Sequence, residues 1–162
     1  MMIRMPCKVL VALLLWTCLT RFAVAGDSPH WRGPYQRGFS PERNLPDRWS
    51  IEGENLLWKA ALGCRSTPVV LNDRVYMINR VGDGEQQQER VVALDLDTGA
   101  VVWQHRFNVF LTDIVFHRVG WANIIADPQT GNVYAHGIQG MLFCFDRDGK
   151  ILWKRSLTEE FG

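Results

Sequence analysis

The sequence predicts an all-β fold made of repeated four-stranded antiparallel units. Three observations carry this reading: an internal repeat, short β-rich segments bounded by turn residues, and tryptophans that recur in step with the repeat. Residues 91–103 (Val91-Val92-Ala93-Leu94-Asp95-Leu96-Asp97-Thr98-Gly99-Ala100-Val101-Val102-Trp103) align with residues 142–153 (Leu142-Phe143-Cys144-Phe145-Asp146-Arg147-Asp148-Gly149-Lys150-Ile151-Leu152-Trp153) after one deletion in the turn. Trp58, Trp103 and Trp153 then stand 45 and 50 residues apart. That is the period of a four-stranded β-propeller blade.

Each unit is accounted for strand by strand. Ahead of the aligned halves lie Pro68-Val69-Val70-Leu71 with Val75-Tyr76, and Asn123-Ile124-Ile125-Ala126 with Val133-Tyr134. These segments are short and rich in Val, Ile, Leu, Tyr and Phe, as strands require. Asn72-Asp73 and residues 127–132 supply the turn between first and second strands. Asp95 to Gly99 and Asp146 to Gly149 supply the turn between third and fourth, with Asp bonding nearby amides and Gly taking positive φ. Residues 82–88 (Gly82-Asp83-Gly84-Glu85-Gln86-Gln87-Gln88) read as a polar connection without apolar period. Leu56-Leu57-Trp58-Lys59-Ala60 matches only the last strand of a unit and reads as an orphan fourth strand. The expected architecture is about two blades plus that strand: a partial propeller over residues 54–162, with blade-like units near 64–107 and 118–157, after a lead-in segment at 26–53. Since propellers close with several blades, two blades alone are expected to expose an apolar sheet face and self-associate.

The amino terminus reads as an export signal. Arg4 and Lys8 precede an apolar run from Val9 to Trp16, and Ala23-Val24-Ala25 offers a cleavage site after Ala25. The run is shorter than the roughly 20 residues that span a bilayer, so no transmembrane helix is expected in the mature chain. Removal of residues 1–25 takes away Arg4, Lys8 and Arg21 and no acid, leaving 15 basic against 17 acidic residues, a net charge of −2. A chain of that balance has no basic stripe with which to neutralise phosphates, which excludes nucleic acid as an expected partner. The expected location is periplasmic or secreted, with an envelope or extracellular protein as partner. Cys7 and Cys18 leave with the signal. Cys64 and Cys144 remain, and Cys144 occupies the place of Ala93 in the repeat, where a small buried residue suffices.

The pattern V-A-L-D-x-x-T-G-x-x-x-W, at Val92 to Trp103, resembles the repeat of the pyrroloquinoline-quinone-like β-propellers. That group includes quinoprotein alcohol dehydrogenases and the outer-membrane assembly protein BamB. Trp31-Arg32-Gly33-Pro34, followed by Gly38, Ser40, Leu45-Pro46 and Trp49, resembles the lead-in segment of exported bacterial members. The resemblance implies that Trp103 and Trp153 pack between neighbouring blades, and that Asp95, Gly99, Asp146 and Gly149 are structural repeat positions.

No catalytic centre is legible. His30, His105, His117 and His136 lack the short spacings of a zinc site. Asp95-x-Asp97-x-Gly99 resembles the start of a calcium loop, yet Arg106 stands at the twelfth position where a bidentate Glu is needed. Neither a Gly-x-Ser-x-Gly elbow nor a phosphate-cradling glycine motif occurs. Phe107, Phe110, Phe116 and Trp121 are expected to pack a long connection between blades rather than line a pocket. Quinone-dependent members carry an adjacent Cys-Cys pair, a Trp platform and acidic calcium ligands, and this chain has no adjacent cysteines. The expectation is therefore a non-catalytic binding or scaffolding propeller without cofactor or metal. The alternatives are a quinone-dependent oxidoreductase whose cofactor residues lie outside this chain, and an extracellular sensor domain.

Overall fold

The computed structural model describes residues 26–110 and 118–162. The expected signal segment with Ala25, and Phe116 and His117, lie outside the described residues. Eight strands form two separate four-stranded sheets. The first contains β1 (Val69–Leu71), β2 (Arg74–Val81), β3 (Gln88–Asp95) and β4 (Val101–Asn108). The second contains β5 (Ile125–Ala126), β6 (Val133–His136), β7 (Met141–Phe145) and β8 (Ile151–Ser156). Each sheet is a meander in sequence order, antiparallel throughout, and the two are the blades of the β-propeller. A short helix α1 (Leu157–Phe161) follows β8, capped by the Ser156 hydroxyl, which accepts from the Glu159 amide.

Alternation along the strands decides which residues meet. On the first sheet Val69, Tyr76, Ile78, Val91 and Ala93 point one way; on the second, Ile124, Ala126, Val133, Ala135, Phe143 and Phe145 point back at them. All are buried, and together they form the main core between the blades. The opposite face of the first sheet carries Val75, Met77, Val92 and Leu94. Residues 56–64 lie along it and bury every second side chain, so that Trp58, Ala60, Leu62 and Cys64 pack on that face. Leu57 between them is 88% exposed. The segment expected to be an orphan strand has the alternation of one but joins neither hydrogen-bonded ladder.

Pairing also fixes the alignment of the first strands. Val69 faces Tyr76 and Ile125 faces Tyr134, so Val69 corresponds to Ile125 rather than to Ile124. A slip of one residue exchanges the two faces of a strand, which is why sequence similarity among apolar residues alone left it undecided. The lead-in segment crosses the first strands of both blades. Ser28 exchanges backbone hydrogen bonds of 2.9 Å with Val70, and the Pro29 carbonyl accepts from the Ala126 amide at 3.0 Å. The connection at 82–88 is more ordered than its polarity suggests: Gly84–Gln86 form one 3-10 turn, and Gln88 already belongs to β3.

Candidate functional site: the tryptophan seats between blades

The two turns before the fourth strands are built alike. Asp95 Oδ1 accepts from the Thr98 amide at 3.0 Å and from the Thr98 hydroxyl at 2.7 Å. Asp146 Oδ1 accepts from the amides of Asp148 at 3.0 Å and Lys150 at 2.9 Å. The hydrogen bonds from Thr98 hold the Asp95 carboxyl below its ordinary range. Gly99 and Gly149 then turn the chain at φ of +69° and +85°, where a side chain is strained. In each sheet a register shift follows at the same place, between Ala93 and Leu94 and between Cys144 and Phe145. Trp103 is thereby set opposite Ala93, and Trp153 opposite Cys144.

Each turn is also the seat for a tryptophan from the preceding element. Trp103 lies over Gly149, where an added Cβ would come within 2.6 Å of the indole, and its N–H donates to the Arg147 carbonyl at 2.9 Å. Trp58 lies over Gly99, where a Cβ would come within 2.4 Å, and its N–H donates to the Leu96 carbonyl at 2.7 Å. Leu96 and Arg147 occupy the same turn position, one residue after the Asp. The glycines thus serve twice, permitting the positive φ and leaving room for a flat ring. Trp58, outside any ladder, does for the first blade what Trp103 does for the second.

Around Trp103 the contact is aromatic. Its ring lies 5.3 Å from Phe145 and 6.1 Å from Tyr76. His105 and Phe107, on the same side of β4, reach Phe143 at 5.2 and 4.8 Å. Burial lowers the His105 pKa below its ordinary value, with Lys154 adding in the same direction. At the rim Arg147 bonds Asp73 across the blades at 2.6 Å. Both groups are about half exposed, so this pair adds specificity more than stability.

Trp153 sits 6.1 Å from Tyr134, the geometry Trp103 keeps with Tyr76, and is 43% exposed and seated on no turn among the described residues. Its ring contact is with Tyr134 of its own blade, and its register partner there is Cys144. Cys64 and Cys144 are free thiols, and Cys144 is buried. Of the aromatics expected to pack a connection, Phe107 instead belongs to β4 and packs on Phe143, whereas Phe110 is 74% exposed and Trp121 is 56% exposed. Among the described residues no cluster of His, Cys, Asp and Glu is placed to hold a metal ion, and no helix is long and apolar enough to cross a membrane.

One polar residue at the blade junction escaped sequence reasoning. Glu89 is buried on β3, on the same face as Val91 and Ala93. The signal was present, because two-residue alternation backward from Ala93 reaches Glu89. The neighbouring glutamines masked it by making the stretch read as a polar loop.

Two four-stranded antiparallel blades, with Trp103 of the first seated on a turn of the second, place the fold among the β-propellers. Within it, residues 87–162 match the family model described as outer membrane protein assembly factor BamB, and the chain carries BamB-like repeats there. The crystal structure of BamB from Moraxella catarrhalis is similar at 22% identity and a TM-score of 0.42, over 62% of this chain and 26% of that one. The chain thus matches about a quarter of the length of that structure. No curated protein matches the chain.

Proposed function

We propose that this chain is part of an exported, non-catalytic β-propeller that serves as a binding or scaffolding module in the cell envelope, periplasmic or secreted. The observation that carries the reading is how the repeat residues are used. Asp95, Asp146 and the indoles of Trp58 and Trp103 are engaged in turn and inter-blade hydrogen bonds, so they build a scaffold and are not held ready for chemistry. The match of residues 87–162 to a model described as an assembly factor supports an envelope protein as partner. A scaffold of this kind offers rigid sheet faces and loops on which a partner can dock without paying to order them.

The test combines two assays on the mature protein. A photo-crosslinker at exposed Leu57 or Phe110 is expected to give a discrete adduct with an envelope protein in intact cells. Incubation with pyrroloquinoline quinone and calcium is expected to give no bound chromophore and no dye reduction with alcohols. Stoichiometric quinone binding with turnover would overturn the reading in favour of an oxidoreductase.

A further inference from the structure

Glu89 is the only buried carboxylate among the described residues. Its Oε1 accepts from the Gly120 amide at 2.8 Å, and its Oε2 accepts from the Ile138 amide at 2.9 Å. Gly120 lies in the connection from β4 to β5, and Ile138 in the turn from β6 to β7. One side chain of the first blade therefore holds both the chain entering the second blade and a turn within it. Glycines make the approach possible. A Cβ on Gly120 would fall 2.5 Å from the Asn79 and Arg80 backbone, and one on Gly137 would fall 2.8 Å from Glu89 Oε2.

The turn that Glu89 grips is itself a junction. Gln139 pairs with the Phe110 backbone in both directions, at 2.8 and 3.0 Å, and its carbonyl accepts from the Thr158 hydroxyl at 2.9 Å. The Gly140 carbonyl accepts from the Leu157 amide at 2.9 Å. The exit from β4 and the start of α1 both rest on residues 137–140.

We propose that Glu89 is a pH-sensitive clasp between the blades, holding two backbone amides when ionised and giving one up when protonated. A carboxylate offers an acceptor oxygen to each amide. A proton taken from solvent turns one oxygen into a hydroxyl that must donate, and an N–H already stands in front of it. One amide then loses its charge-assisted bond while the other keeps its acceptor.

The surroundings set where this happens. On β2, Arg80 is the register partner of Glu89 and pairs with Asp83 at 3.2 Å. On β4 the partner is uncharged Phe107. The connection brings uncharged Val119 and exposed Arg118, and the turn brings uncharged Gly137 and Gln139 beside exposed His136. Burial raises the Glu89 pKa above its ordinary 4.5, and the amides of Gly120 and Ile138 only partly offset that. The native chain then takes up a proton more readily than the unfolded chain. Stability contributed by this group is therefore lost as pH rises from the ordinary glutamate range through the raised pKa. Acid relieves the burial of charge while it frees one amide, so the blades stay folded and only their fastening loosens.

An amide NMR titration of the unmodified protein, from pH 4 to 8, tests this. The Gly120 and Ile138 signals are expected to shift together with a midpoint above that of exposed glutamates. One of the two should exchange on the order of tenfold faster on the acid side after correction for intrinsic rate, the worth of one charge-assisted hydrogen bond. Glu89→Gln should abolish the shared titration and flatten the pH dependence of thermal stability. Should that variant fail to fold, the titration of the unmodified protein decides alone. Signals that do not shift, or that follow the midpoint of exposed carboxylates, would overturn the clasp.

Discussion

Truncating Trp103 to alanine removes more than a hydrophobic side chain, and the structure allows the loss to be apportioned. The ring packs on Phe145 and Tyr76 and fills the space above Gly149, while its N–H bonds the Arg147 carbonyl. Full burial of a Trp or Phe is worth about 3–5 kcal/mol on truncation. Trp103 is only partly buried, which brings the packing loss to roughly 2–3 kcal/mol. Loss of the solvent-exposed N–H bond to the Arg147 carbonyl adds about 1 kcal/mol, the net worth of an ordinary hydrogen bond. At roughly 2–4 °C per kcal/mol for a chain of this size, Trp103→Ala should lower Tm by about 6–16 °C. Trp103→Phe keeps a ring over Gly149 and loses the N–H, so it should recover most of that difference. Differential scanning calorimetry of the three proteins under one buffer condition provides the comparison. A Tm for Trp103→Ala within about 1 °C of the parent would refute the seat as a source of stability.

Further outcomes follow from the same geometry. Gly149→Ala combines positive φ with a collision against the Trp103 indole, and should destabilise by about 2 kcal/mol or more by chemical denaturation. Arg147→Ala removes only a half-exposed ion pair and leaves the carbonyl in place, so its loss should stay below about 1 kcal/mol. Because burial lowers the His105 pKa, the unfolded chain binds that proton first. Stability from this group is present above its ordinary value of 6.5 and is lost as pH falls through the depressed pKa; His105→Phe should flatten that part of a pH–Tm profile. Native-state alkylation should modify partly exposed Cys64 well before buried Cys144, whose thiol pKa burial also raises. Sedimentation of residues 26–162 is expected to show self-association through the second sheet's open face, where Ile125 and Trp153 are exposed; a sharply melting monomer would count against it.

Much of the fold could be read because blade strands announce themselves locally. Val91 to Leu94 and Phe143 to Phe145 are short apolar runs, and the Asp and Gly that turn the chain between strands are chosen by backbone geometry. The Trp spacing was readable for the same reason, since Trp58 and Trp103 each lie over a turn of the same Asp-to-Gly pattern. What sequence could not supply were facts about neighbours. Whether Leu56 to Ala60 joins a ladder depends on which backbone lies beside it, and periodicity is silent on that. Trp153 shares its local pattern with Trp103, and its exposure reflects only the lack of a turn above it among the described residues. Glu89 was hidden differently: its partners are backbone amides at positions 120 and 138, and amides leave no mark in a sequence.

The seat-by-turn account stands most directly on the hydrogen exchange of three indole N–H groups. Measured on residues 26–162 by NMR, with assignments from single Trp→Phe variants, Trp58 and Trp103 should exchange slowly, because each donates to a turn carbonyl at 2.7 and 2.9 Å. Trp153 should exchange at close to the rate of an exposed indole in the monomer. Rapid exchange at Trp103, or protection of Trp58 no greater than that of Trp153, would contradict the claim that these two rings are seated on the turns of the two blades.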